Sequence, residues 1–208
     1  MARTLGSLVD SELRNHIDPG QRAAARAILN AAGNNDGIGT VAAVTGLGID
    51  EYGDAAMKRS VFTFTAMSIT LTDDAGVGQW GTVKLYDFPA GNIYIIGATI
   101  DADLTLVNAL WLDTAVGDIG VGSTANADAT AIATTRQNII ASTAIAAMVA
   151  QVGPVDCGSV VPVGLANAGG TDTDCILNVR IDDDAAHITD SGTLTGTMVM
   201  TWTQVGDF

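Results

Sequence analysis

Two stretches near the end of the chain admit only one regular backbone geometry. In the first, Leu177, Val179 and Ile181 alternate with Asn178, Arg180 and Asp182; in the second, Leu194, Met198, Met200 and Trp202 alternate with Thr195, Thr197, Thr201 and Thr203. A period of two gathers the apolar residues on one face of an extended strand, whereas a helix would scatter them around its circumference. Strands of this kind belong to antiparallel sheets with one face on a core and the other in water.

The same period recurs upstream. Between residues 61 and 72, Phe62, Phe64 and Ala66 share one face, and Met67, Ile69 and Leu71 continue on the other. That phase slip predicts a bulge, or a strand buried on both sides. Val83 and Leu85, Ile93 and Ile95, Leu104 and Leu106, and Leu110 and Leu112 follow, separated by Pro89-Ala90-Gly91-Asn92 and by Asp101-Ala102-Asp103. Residues 138–150 fit a helix through Ile140, Ala144, Ala147 and Met148 or a strand through Ile139, Ile145 and Val149; the surrounding strands favour the second. About eight strands with turn residues at short spacing predict a mainly β fold, an antiparallel β-sandwich of jelly-roll or Greek-key type.

The first residues follow another period. Leu5, Leu8, Val9, Leu13 and Ile17 lie on one helical stripe, and a second helix is expected from Asp18-Pro19, an N-cap and first-turn proline, through Leu29 to a stop at Gly33. Asn34-Asn35-Asp36-Gly37 is a turn cluster, and the Gly/Ala/Val-rich stretch to about residue 58 reads as linker. Residues 1–58 are thus expected to form a short α-helical N-terminal arm with a linker, and residues 59–208 the β-sandwich domain. The helical pair either docks on a partner or packs on its own domain.

Charge divides the chain at the same place. Of 23 acidic and 9 basic residues, for a net charge of −14, the first sixty hold seven and six. Residues 61–208 carry sixteen aspartates, no glutamate and only Lys84, Arg136 and Arg180, a net of −13. Aspartate without glutamate suits turns and strand ends, where a short carboxylate can accept from nearby amides. So acidic a surface, with no basic patch, excludes direct binding to a nucleic-acid backbone. The longest apolar runs, such as 93–100, are about half of the roughly 20 residues a membrane helix needs, and no secretory signal is recognisable, so a protein made in the cytoplasm without membrane association is expected.

Chemistry-bearing motifs are weak. His16 and His187 have no serine or cysteine at a recognisable spacing, and there is no GxSxG, HExxH or phosphate-cradling glycine-rich loop with lysine. Gly120-Val121-Gly122-Ser123-Thr124-Ala125 imitates a dinucleotide fingerprint without the βαβ unit or the later acid. Asp190-Ser191-Gly192 imitates an aspartic-protease loop but occurs once, and a hairpin turn explains it more simply. Asp182-Asp183-Asp184, or Asp172 with Asp174, offer carboxylates to an ion but lack the EF-hand order, so a solvated acidic loop is the plainer reading. Trp111 and Trp202 read as core; Trp80, in a glycine-rich turn, is the one aromatic exposed enough to stack on a sugar, and core or interface packing is the plainer reading of the three. Cys157 and Cys175 match no zinc pattern; they read as two small buried residues, with a bridge formed after release from the cell as the alternative. No catalytic, cofactor or metal residue is therefore assigned.

A short helical N-terminus, an Asp/Thr/Gly/Ala-rich sandwich, segments such as Val83-Lys84-Leu85-Tyr86-Asp87-Phe88-Pro89-Ala90-Gly91 and Gly120-Val121-Gly122-Ser123-Thr124-Ala125, and the closing Gly196-Thr197-Met198-Val199-Met200-Thr201-Trp202-Thr203 together resemble virion structural proteins of tailed bacteriophages, in particular capsid decoration, or cement, proteins. The resemblance spans roughly residues 60–208. It implies a non-enzymatic jelly-roll module, often a homotrimer, that sits on the capsid exterior, contacts the major capsid protein and reinforces the shell. A host-surface or carbohydrate-binding module of a virion, and a jelly-roll coat protein, are the alternative readings.

Overall fold

The structure, a computed structural model, describes residues 40–53, 57–74, 77–89, 92–106, 116–145, 152–157, 163–165, 173–182 and 190–205. The expected helical arm lies outside them, as do Trp111, His16 and His187. All described strands fall within the unit Gly37–Phe208.

The strands are β1 (Thr40–Val41), β2 (Leu47–Gly53), β3 (Lys58–Asp74), β4 (Gly78–Asp87), β5 (Asn92–Leu106), β6 (Gly117–Gly122), β7 (Ile140–Ile145), β8 (Val152–Cys157), β9 (Val163–Leu165), β10 (Asp174–Asp182) and β11 (Asp190–Val205). They form one antiparallel sheet in the order β7-β6-β10-β4-β3-β11-β5-β8, with β1 on β4, β2 on β3 and β9 on β5. The fold is therefore mainly β, as the alternation predicts. The only described helical turn is a 3-10 turn at Thr134–Arg136.

The long strand β3 is the corner of the sheet. Its residues Lys58 to Leu71 pair with β11, and its last three, Thr72 to Asp74, pair with β4. The sheet curls at this point, so that side chains from both halves meet in one core containing Phe62, Met67, Leu85, Ile100, Val121, Leu177, Met198 and Trp202. The two ends of the strand order also converge, with Cα atoms of β7 and β8 within 8 Å of each other although no ladder joins them. The result is a half-closed barrel.

The phase slip at Ala66 is a bulge. Met67 pairs with Leu194 and Phe64 with Gly196, so Thr65 and Ala66 together face the single residue Thr195. Ala66 takes φ +48°, and its amide donates to Thr195 Oγ1 at 3.3 Å. The extra residue turns the strand by half a period, which lets Phe62 and Phe64 and then Met67, Ile69 and Leu71 all point into the core. A second bulge, at Ile96, does the same for β5, where Gly97 pairs with Thr201 and Ile95 with Trp202.

Four expectations change. Thr40–Val41 and Leu47–Gly53, in the stretch read as linker, are strands of the sheet. Asp101-Ala102-Asp103 does not separate two strands; it lies inside β5, with both carboxylates outward and Ala102 buried. Trp80 sits within β4, half-buried and paired with Thr72 and Arg180, not in a turn. The polar face of β10 is not wholly wet, since Asn178 has no exposed surface. The segment 138–150 does contain a strand, β7, as favoured.

Candidate functional site

Three groups of residues carry what polar chemistry the described sheet offers. The first is a hydrogen-bonded tie inside the aromatic core. Trp202 Nε1 donates to Ser60 Oγ at 2.9 Å, Ser60 Oγ donates to Glu51 Oε1 at 3.2 Å, and the Tyr86 hydroxyl donates to the same carboxylate oxygen at 2.6 Å. The network links β11, β3, β2 and β4. Around it Tyr86, Phe88 and Trp202 pack edge to face, with centroids 5.2 Å apart for Tyr86–Phe88 and for Phe88–Trp202. Ser60 is fully buried and so presents no nucleophile to solvent; the chain of bonds acts as a strap across four strands.

Lys58 completes this group. Only 8% exposed, its ammonium lies 5.0 Å from the centre of the Trp202 ring, and Nζ has no hydrogen-bond partner among the described residues. Burial pulls its pKa below the ordinary lysine value of 10.5, with the Glu51 carboxylate opposing. The folded state thus binds fewer protons than the unfolded chain between the lowered pKa and 10.5, so stability rises with pH through that window and the penalty is complete below it. Burying an ammonium costs several kcal/mol, more than the ~2 kcal/mol a desolvated cation–π contact returns. Lys58→Met is expected to raise unfolding stability at pH 7 by about 1 kcal/mol and to flatten its rise as the pH approaches the ordinary lysine value of 10.5. Urea titrations at several pH values check this.

The second group is a lid of residues 123–139 on the outer face of β6 and β10. Asn178 anchors it by accepting from the Asn126 amide at 2.8 Å and donating to the carbonyls of Thr124 at 3.0 Å and Arg136 at 2.8 Å. Arg180 Nε donates to the Ala129 carbonyl at 2.6 Å, while its Nη1 meets Asp118 at 3.1 Å and its Nη2 pairs with Asp182. Ala129 and Ile132 are the buried apolar residues of the lid itself. The glycines of the apparent dinucleotide fingerprint have a structural cause here. A Cβ on Gly122 would collide with the Thr135 carbonyl and the Arg136 backbone, and one on Gly120 would lie 3.3 Å from Ile132 Cγ2. Asn178→Ala is expected to destabilise by about 2–3 kcal/mol, because it orphans one buried amide and two carbonyls; chemical denaturation measures it.

The third group is the outer face of β3, β11 and β5, where Thr63, Thr70, Thr99, Thr195 and Thr197 are exposed, with Asp101 and Asp103 beside them.

The remaining motif residues scatter. Asp190-Ser191-Gly192 is not a turn but the start of β11, where Asp190 pairs with Leu71 and Gly192 with Ile69. Asp174 meets Lys84 at 2.6 Å, and Asp182 pairs with Arg180, while Asp172, Asp183 and Asp184 lie outside the described residues. No cluster of three or more metal-ligating acid, His or Cys side chains occurs among the described residues. Cys175 is a fully buried free thiol whose pKa burial pushes well up; Cys157 lies in β8. Trp202 is core, as read. Sequence reasoning missed Glu51, Ser60, Tyr86 and Lys58. Their one signal was the inward alternation of Leu47, Ile49 and Glu51, which marks β2 and places a glutamate toward the core.

No family model, no curated protein and no solved structure matches this chain.

Proposed function

We propose that the chain is a non-enzymatic structural protein of a tailed-phage virion, a decoration or cement protein that binds the capsid exterior as a homotrimer and stabilises the shell. In this reading the curled sheet is a jelly-roll-type module. The observation that carries the proposal is the outer face of three adjacent strands, β3, β11 and β5, of 17, 16 and 15 residues, with short hydroxyl side chains recurring at alternate positions. Such a face can contact another protein over a wide area with little charge to desolvate, and it gains strength by repetition over a symmetric shell. The strap from Trp202 to Glu51 and the lid held by Asn178 supply the rigidity that a repeated contact needs.

The N-terminal segment is the proposed attachment element, because Arg3, Arg14, Arg22 and Arg26 concentrate there on an otherwise acidic chain. Removing residues 1–55 would also remove β2 and Glu51, so the test keeps the chain at full length. Reversing Arg14, Arg22 and Arg26 to Glu is expected to abolish co-sedimentation with purified shells of its cognate major capsid protein at physiological salt. Undiminished co-sedimentation would refute the role of the arm.

A further inference from the structure

We propose that one end of the outer sheet face is a docking site for a second copy of this chain, with Arg59 of one copy seated against Asp101 and Asp103 of the next. The inference deepens the homo-oligomer of the proposed function and rests on that reading. Four exposed apolar or aromatic residues gather at this end: Tyr52 at 56% and Met57 at 54% around the β2–β3 connection, and Tyr94 at 43% and Ile96 at 37% on β5. The pairing register brings them onto neighbouring rungs. Tyr52 lies opposite Arg59, Arg59 opposite Thr201 and Thr201 opposite Gly97, while Tyr94 lies opposite Thr203. Tyrosine, methionine and arginine are the residue types that interfaces concentrate at their centres. Ile96 is exposed because it is the bulged residue of β5, so the bulge that keeps Ile93 and Ile95 in the core also presents an isoleucine to solvent.

Charge complementarity selects the occupant. Lys84, Arg136 and Arg180 each have an aspartate partner, whereas Arg59 is the one exposed cation among the described residues without an ion pair. On a chain of net charge −14, two copies repel over most orientations, and an approach that sets this guanidinium against carboxylates reverses the sign locally. Asp101 and Asp103 are exposed on the same face with no ion pair among the described residues. They lie seven and nine residues beyond Tyr94 along β5, about 23–30 Å at ~3.3 Å per residue. Arginine patch and acids therefore serve two different molecules, each copy offering both halves of the contact.

Sedimentation velocity of the full-length chain at micromolar concentration, with shell co-sedimentation in parallel, tests this. The wild type is expected to be oligomeric. Arg59→Glu, an exposed substitution whose fold circular dichroism can verify, should weaken association by roughly tenfold or more. Adding Asp101→Arg and Asp103→Arg to Arg59→Glu should restore it. A monomeric wild type, an oligomer untouched by Arg59→Glu, or a charge swap without rescue would each overturn the interface. A monomer that still binds shells would remove this interface and leave the decoration reading standing. An oligomer that dissociates and is rescued as expected but never binds shells would support the interface and refute decoration.

Discussion

Gly196→Ala is expected to destabilise the protein by about 3 kcal/mol or more, a large share of the roughly 5–15 kcal/mol that keeps a domain folded. Gly196 lies in the middle of β11, flanked on one side by β3 and on the other by β5, and takes φ +147°. That conformation is strained for any residue with a Cβ. A methyl group there would also strike the Asp101 carbonyl and come within 2.5 Å of Ala102 Cα and 2.7 Å of Ala102 Cβ, both in β5. Neither neighbour can yield, because Ala102 is backbone-paired and buried. The glycine lies beside the Thr65–Ala66 bulge, so the substitution would disturb the point where β3 changes phase. Guanidinium denaturation against wild type measures the loss. A change below about 1 kcal/mol would mean that the central strand relaxes far more than a packed sheet should.

Trp202→Ala is the second large effect, with an expected cost of about 3–5 kcal/mol from lost burial and the cavity left behind. The side chain has no exposed surface, contacts Tyr86 and Phe88 edge to face, and donates the bond that starts the strap to Glu51. Its removal also strips the ring from beneath the Lys58 ammonium. Trp202→Phe separates these contributions, since it retains an aromatic face and loses the donor. It should cost about 1 kcal/mol for the hydrogen bond to Ser60 plus a smaller packing loss. If both variants destabilised equally, the strap rather than the packing would be the main contribution of this residue.

Much of the sheet was legible because a hydrophobic phase records which face of a strand is inward. The switch from Phe62 and Phe64 to Met67, Ile69 and Leu71 signals either a bulge or a strand buried on both sides, and the pairing with β11 selects the bulge at Ala66. Alternation is silent about what covers the other face. Asn178 reads as solvent-facing, yet residues about fifty positions earlier, from Thr124 to Arg136, close over it. Asp101-Ala102-Asp103 misled for a related reason, since an out-in-out triplet with a small inward residue has the composition of a turn. Gly122 misled in function: close approach by a backbone needs glycine, and here that backbone is Thr135 and Arg136 of the lid rather than a loop around a nucleotide. The strap was invisible because Glu51 and Trp202 are far apart in sequence, and only the ladders β2–β3 and β3–β11 bring them together.

Reinforcement of a shell is the central claim, and calorimetry reads it without assuming which surface binds. Purified shells of the cognate major capsid protein should melt several degrees higher, by the linkage that stabilises any state a ligand binds, once saturated with the full-length chain, and the gain should disappear when the chain is washed off at high salt. Shells that melt at the same temperature with and without the saturating chain would contradict the account.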